Sequence, residues 1–210
     1  SLRTKDMTPE RREEYLELVD EGLRRIQATV AKILRFTPHR VAPQAVDLRD
    51  VVPPAVALVR HRVERAGIEL AVDLGAEAAP VFGDFYELQQ ALLNVILNAI
   101  DALEERPVDA PRIDVSLQVQ DEQVRLRVRD NGPGMAKDDL PRAFDLFFTT
   151  KEQGKGSGLG LATVHKILDD HGGGVRLASE PGHGMEVTFL LPRLRDGTRG
   201  TDDAAVTEAG

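Results

Sequence analysis

Cysteine is absent from the 210 residues, so disulfide bridges and thiolate chemistry are excluded, and its absence fits a cytoplasmic protein. No apolar run approaches the roughly 20 residues that span a bilayer, and no secretory signal opens the sequence. The expectation is a soluble chain with no membrane contact of its own, whatever anchor a longer parent carries. A basic excess is also missing. The formal net charge is -8, which gives nucleic acid no general electrostatic welcome and argues against a DNA or RNA role. What is present is enough apolar content, 41%, to bury a proper core, in a length that suits one domain plus an appendage.

From Pro9 to Phe36, Leu16, Val19, Leu23, Ile26, Val30 and Ile33 recur at alternating spacings of three and four, the seam of a coiled coil or bundle helix. Thr8 and Pro9 supply a helix start, and Thr37-Pro38 a stop. After a connector (37–46), Leu48 to Arg65 reads as a helix opened by Asp47, with Pro53-Pro54 disturbing its first turns, and Ile68 to Leu74 as a strand. Phe85 to Leu103 is strongly helical. Ile113 to Val119 and Val124 to Val128 alternate with a period of two and form a hairpin. A helix from Leu159 to His171 and strands Val175 to Ser179 and Met185 to Leu191 follow. Hairpin strands with helices between them predict an α+β two-layer sandwich, one mixed sheet covered by helices on one face and preceded by the long heptad helix. The domains are expected at 1–42 (helix and linker), 43–194 (the sandwich) and 195–210 (a disordered tail).

Three stretches carry chemistry. Thr150 to Leu161 reads TKEQGKGSGLGL, with glycine at every second position from Gly154 to Gly160. A Walker loop needs Ser or Thr after its lysine, but Lys155 is followed by Gly156; a dinucleotide fingerprint needs a glycine where Leu159 or Leu161 stands. What remains is a glycine segment running into a helix start, where free N–H groups and the helix dipole can meet phosphate. The second stretch is Asp130-Asn131-Gly132-Pro133-Gly134-Met135 at a strand end. It is either a plain turn or a site where a buried Asp130 accepts the exocyclic amine of adenine, at a position where guanine offers a carbonyl. In the third, Asn94 and Asn98 share one helix face. They either solvate the helix edge or offer neutral amide oxygen to Mg²⁺ beside a triphosphate.

Together these stretches resemble the nucleotide-binding domain of sensor histidine kinases, in the superfamily shared with DNA gyrase B, the heat-shock chaperone ATPases and mismatch-repair ATPases. Leu93 to Ala99 looks like the N box, Asp130 to Met135 the G1 box, Phe144 to Lys151 the F box and Gly156 to Leu161 the G2 box; His171-Gly172-Gly173 fits the end of the following helix. The style of the F box is nitrogen-regulation-like. The resemblance, over about 46–192, implies a Bergerat-type fold with ATP under a lid from about Met135 to Gly154, Asn98 on Mg²⁺ and Asp130 on adenine. It further implies nucleotide contacts from Gly132, Gly134, Lys155, Gly156, Ser157, Gly158, Leu159 and Gly160, and catalytic roles for Asn94 and Lys151, with Lys151 or Lys155 as charge partner.

Relatives that hydrolyse ATP carry Glu where this sequence has Asn94, and an amide cannot act as a general base toward water. Phosphotransfer is therefore favoured over hydrolysis. The resemblance makes the first helix the second arm of a dimeric hairpin, implying a homodimeric parent and a response regulator as partner. No segment matches the family's phosphate-accepting histidine: His39, His61, His165, His171 and His183 all lie in other contexts. The expected activity is a kinase catalytic half that binds Mg-ATP without labelling itself, its acceptor helix being supplied from outside this sequence. A serine-directed kinase of the anti-sigma type and a nucleotide-binding module without phosphotransfer are the alternatives.

Overall fold

The computed structural model describes residues 42–151 and 156–195. The expected heptad helix, Lys155 and the tail after Arg195 lie outside the described residues. The described chain runs β1 (Gln44–Asp47), α1 (Leu48–Arg65), β2 (Glu69–Asp73), β3 (Pro80–Gly83), α2 (Phe85–Glu105), β4 (Arg112–Gln120), β5 (Gln123–Asp130), α3 (Gly160–Asp170), β6 (Gly174–Ser179) and β7 (Met185–Pro192), with one 3-10 turn at Leu140–Arg142.

Both longer helices start on an aspartate. Asp47 accepts the Arg49 N–H at 2.9 Å, and Asp84 accepts those of Tyr86 and Glu87 at 2.8 and 3.2 Å, satisfying donors that a helix start leaves unpaired. The Arg49 guanidinium folds back onto Asp47 and holds its carboxyl below the usual carboxylate range. α1 continues through Pro53 and Pro54, contrary to the expected disturbance. Each proline removes one backbone bond, but Val51, Val52, Ala55, Val59 and Val63 are buried at helical spacing and hold the segment by packing. α2 buries Leu88, Ala91, Leu92, Val95, Ile96, Ala99, Ile100 and Leu103 on one stripe, so the remaining face is free to carry polar groups.

The sheet has the order β2-β4-β5-β7-β6, with β2 parallel to β4 and the other pairs antiparallel. This is the mixed sheet of the expected α+β sandwich. Ile113, Val115 and Leu117 on β4, Val124, Leu126 and Val128 on β5, and Val187, Phe189 and Leu191 on β7 alternate inward and join one core with the three helices. At roughly 25 cal/mol per Å² of apolar surface removed from water, this contiguous core dominates stability. A second sheet departs from the sequence reading: β1 and β3 pair antiparallel, with Val46 opposite Val81, where a connector was expected at β1 and no strand at β3. Each strand has four residues and touches a proline, Pro43 or Pro80, too short for alternation to register.

Candidate functional site

A cleft of about 510 Å³ lies where α2, the ends of β5 and β7, and the segment between β5 and α3 meet. Asn94, Asn98, Asp130, Gly134, Lys151, Gly156, Ser157, Gly158 and Gly160 all line it. Stretches read separately along the sequence thus converge on one cavity. Gly132 and Leu159 do not line it: Gly132 donates its N–H to Asp130, and Leu159 caps α3, its carbonyl accepting from Thr163. Lys155 is outside the described residues.

Asp130 is 7% exposed, one of two buried charged residues among those described. Its position follows from the pleat, since it ends β5 on the inward-facing register of Val124, Leu126 and Val128. Oδ1 accepts from Gly132 N–H at 2.8 Å and Met185 N–H at 3.3 Å. Oδ2 has no partner among the described residues, leaving one carboxylate oxygen for a ligand donor. Burial pushes the Asp130 carboxyl up, against the backbone N–H groups of Gly132, Met185 and Asp130 itself and the nearby Arg129 charge, which favour its charged form.

Asn94 and Asn98 follow one another by a helical turn on the polar side of α2, and Asp101 continues the same row. A Cβ on Gly160 would stand 3.2 Å from the Asn98 amide nitrogen, so the start of α3 sits against this row. Among the described residues no cluster of three His, Asp or Glu could hold a metal by itself. The donor set therefore fits a hard cation that takes an amide oxygen from the protein and the rest of its shell from a phosphate ligand and water.

Asp101 is a lining residue that the sequence reading missed. Its carboxylate takes both the Lys151 ammonium and the Arg62 guanidinium, the latter at 2.6 Å, while Arg62 also reaches Glu104. Lys151 is thus already ion-paired in this structure. The spacing of Asp101, seven residues after Asn94, was the available signal. Ser179 was also missed; its hydroxyl accepts from Met135 N–H at 2.8 Å and donates to the Gly184 carbonyl at 2.7 Å, fastening the chain after β5 to the β6–β7 turn.

The other wall is irregular. Phe147 has φ of 67° and donates its N–H to the Gly158 carbonyl at 2.9 Å. Gly158 has φ of 62°, and a Cβ there would lie 2.3 Å from the Phe147 carbonyl carbon, so only glycine fits this clasp. Gly134 has φ of 67° and packs against the backbone of Glu180 and Gly184. Phe148 faces the cleft, with the Arg142 guanidinium 4.6 Å from its ring centroid. His171, at the end of α3, accepts the Asp84 N–H at 3.0 Å through Nε2 and lies 2.6 Å from the Ile167 carbonyl through Nδ1, so it serves packing.

Residues 83–195 match the family model described as histidine kinase-, DNA gyrase B- and HSP90-like ATPase. The signal transduction histidine-protein kinase AtoS of Escherichia coli (strain K12) is 34% identical over 181 residues, covering 86% of this chain and 29% of AtoS. The sensor histidine kinase ZraS of the same strain is 36% identical over 169 residues, covering 80% and 35%. The chain thus spans about a third of the length of these curated relatives. Among solved structures, full-length ShkA in complex with AMPPNP superposes with a TM-score of 0.71 at 29% identity, covering 91% of this chain and 41% of that one. The mycobacterial sensor histidine kinase MprB gives 0.62 at 30% identity, covering 72% and 98%.

Proposed function

Because the chain belongs to the histidine kinase-, DNA gyrase B- and HSP90-like ATPase family and carries its ATP-binding domain, we propose that it is the catalytic part of a two-component protein histidine kinase. In this proposal it transfers the γ-phosphoryl group of Mg-ATP to a histidine outside these 210 residues. The observation that carries the proposal is Asp130. With Oδ1 held by two backbone N–H groups and Oδ2 unpartnered in the cleft, it can receive the adenine amine, a donor that guanine does not present there. Gly132 acts through Asp130, and Gly134 shapes the backbone beside it.

At the phosphate end, Asn98 would hold Mg²⁺ by its amide oxygen, and Gly156, Ser157, Gly158 and Gly160 would face the phosphate chain, with Leu159 setting the start of α3.

 Leu159 contributes through that helix start and not through direct contact. The bound Mg²⁺ would neutralise charge developing on the transferred phosphoryl group. Asn94 cannot take a proton from water, which disfavours hydrolysis while leaving its amide to orient the reacting groups. Lys151, and Lys155 four positions further on in sequence, would supply positive charge once the phosphates are in place.

Residues 1–42 would be the second helix of a dimerisation hairpin plus linker, 43–194 the catalytic domain, and 195–210 a tail. The parent would be a homodimer that phosphorylates a response regulator from the cytoplasm. Among the described residues, no helix is long and apolar enough to cross a membrane. The test mixes the 210-residue chain and labelled ATP with a separately supplied acceptor hairpin. Acid-labile, base-stable label on the hairpin histidine is expected, with none on the chain itself. Label on serine would assign the chain to the anti-sigma type of kinase, and binding without transfer would make it a nucleotide-binding module.

A further inference from the structure

The face of the sheet turned away from the helices carries a second depression, of about 320 Å³. The register sets its composition. Ser116, Arg127, Thr188 and Arg176 form one cross-strand row over β4, β5, β7 and β6, and Gln118, Arg125, Leu190 and Gly174 form the next. Three arginines, two on β5 and one on β6 across the intervening β7, therefore converge on one face of a chain whose formal net charge is -8. The carboxylate beside them is Glu186, whose Oε2 lies 3.8 Å from Arg127 Nη1. Asp114 and Arg129 share the following row with Glu186 and offset one another in formal charge. Three guanidinium groups against one carboxylate leave two positive charges at the depression.

Arg127 is partly committed, since its Nε donates to the Ser116 hydroxyl at 3.1 Å. Arg125 Nε is buried and is the only buried side-chain polar atom among the described residues without a hydrogen-bond partner. A buried N–H on a permanent cation is costly to leave unpaired, and it selects an acceptor that can enter the depression. Arg176 is exposed and unpaired among the described residues, and Thr188 adds a hydroxyl between the two strands that bear Arg127 and Arg176. A planar guanidinium fork matches the oxygens of a phosphate better than it matches a monovalent halide, and two excess charges match a dianion.

From this we infer that the open sheet face is an anion site for a phosphate group, held by Arg125, Arg127 and Arg176 and separate from the cleft that contains Asp130. The phosphate could be free or carried by another protein. The experiment follows the backbone amide resonances of the 210-residue chain during titration with inorganic phosphate, pyrophosphate or a phosphoserine peptide, with ionic strength held constant by chloride. Saturable shifts are expected at Arg125 to Arg127, Gly174 to Arg176 and Thr188 to Leu190. The double variant R125Q/R176Q should bind roughly tenfold more weakly or worse, and R125K/R176K should retain part of the affinity. These side chains lie on the solvent side of the sheet, so the variants should keep the parent's thermal midpoint without added anion, which separates lost binding from lost folding. Saturation by the peptide at lower concentration than free phosphate would assign the site to a phosphorylated protein, and the reverse order to a free anion. Shifts reproduced by chloride, shifts confined to the Asn98 and Asp130 cleft, or unchanged binding in R125Q/R176Q would overturn the assignment.

Discussion

The two walls of the nucleotide cleft are built in different ways. One is made of α2 and the end of β5, where Asn94, Asn98 and Asp130 are fixed by helical and strand periodicity against a continuous core. The other runs through turns and one 3-10 segment, leaves Leu146 and Phe147 66% and 68% exposed, and is fastened by single contacts: Met135 to Ser179, Phe147 to Gly158 and Lys151 to Asp101. The first wall can present fixed polar groups. The second buries little apolar surface and so opens at lower free-energy cost, which suits a segment that must admit and release a ligand.

The largest effect should come from breaking the fixed wall at its buried charge. Asp130→Asn should weaken ATP binding by about 1.5–3 kcal/mol, roughly 10- to 150-fold, because the charge-assisted bond is lost and the amide can present a donor to adenine's own donor. The fold should not suffer. The native carboxyl is raised above its ordinary value by burial, so its contribution to stability is present below the unfolded value, near 4, and is lost as pH rises through the folded value. Asparagine keeps an oxygen for Gly132 and Met185 and removes the buried charge. At pH 7 its thermal midpoint should match or exceed the parent's, with that advantage shrinking toward pH 4. Calorimetry gives the affinity and thermal melts at several pH values give the stability; parallel losses in both would mean that Asp130 is structural.

Breaking the irregular wall should do the reverse, harming the site while leaving the core intact. Gly158→Ala forces a side chain into a left-handed conformation against the Phe147 backbone, at a cost of about 1–3 kcal/mol. Nucleotide affinity should fall about tenfold. Amide exchange at Phe147 should accelerate, and exchange in α2 should stay as it was. Normal affinity with an undisturbed Phe147 amide would remove the clasp from the site.

Asn98→Ala separates the metal from the nucleotide. Only the metal-bound state uses the amide oxygen, so ATP affinity should drop about fivefold with Mg²⁺ and much less with EDTA. An equal loss in both conditions would make Asn98 a packing residue against Gly160, whose Cβ position lies 3.2 Å from its amide.

The same division governs what could be read from the sequence. The core helices and the hairpin announced themselves because burial repeats every three to four residues in α2 and every second residue in β4 and β5. Asn94, Asn98 and Asp130 were therefore placed on the correct elements. Asp101 was overlooked although it lies on the same helical row, because an acid near a triphosphate has no obvious use until its pairing with Lys151 and Arg62 is seen. The Phe147–Gly158 clasp and the Ser179 fastening join positions 11 and 44 residues apart through single backbone or hydroxyl contacts, which leave no periodic trace. The β1–β3 ribbon was hidden for a related reason, since four-residue strands beside prolines look like turns.

The smallest expected effect concerns the contact that joins the two walls. Lys151 and Asp101 are partly buried, with side chains 21% and 31% exposed, and Arg62 competes for the same carboxylate. Such a pair is worth at most about 1 kcal/mol, so neither residue should matter much to folding. Their effects on nucleotide binding should nevertheless differ in sign. Incoming phosphates are attracted by the ammonium and repelled by the carboxylate, and while the pair persists each masks the other. Lys151→Ala should lower ATP affinity by up to about fivefold at low salt, whereas Asp101→Asn should raise it by a similar or smaller factor by freeing the lysine. The double variant D101N/K151A should lose most of the gain, because that gain acts through Lys151, and added salt should shrink all three differences. Calorimetric titrations of the three variants at two ionic strengths close the cycle. If Asp101→Asn weakens binding as Lys151→Ala does, the pair acts as a fastener that must stay closed around the nucleotide, and Lys151 is not a charge partner for the phosphates.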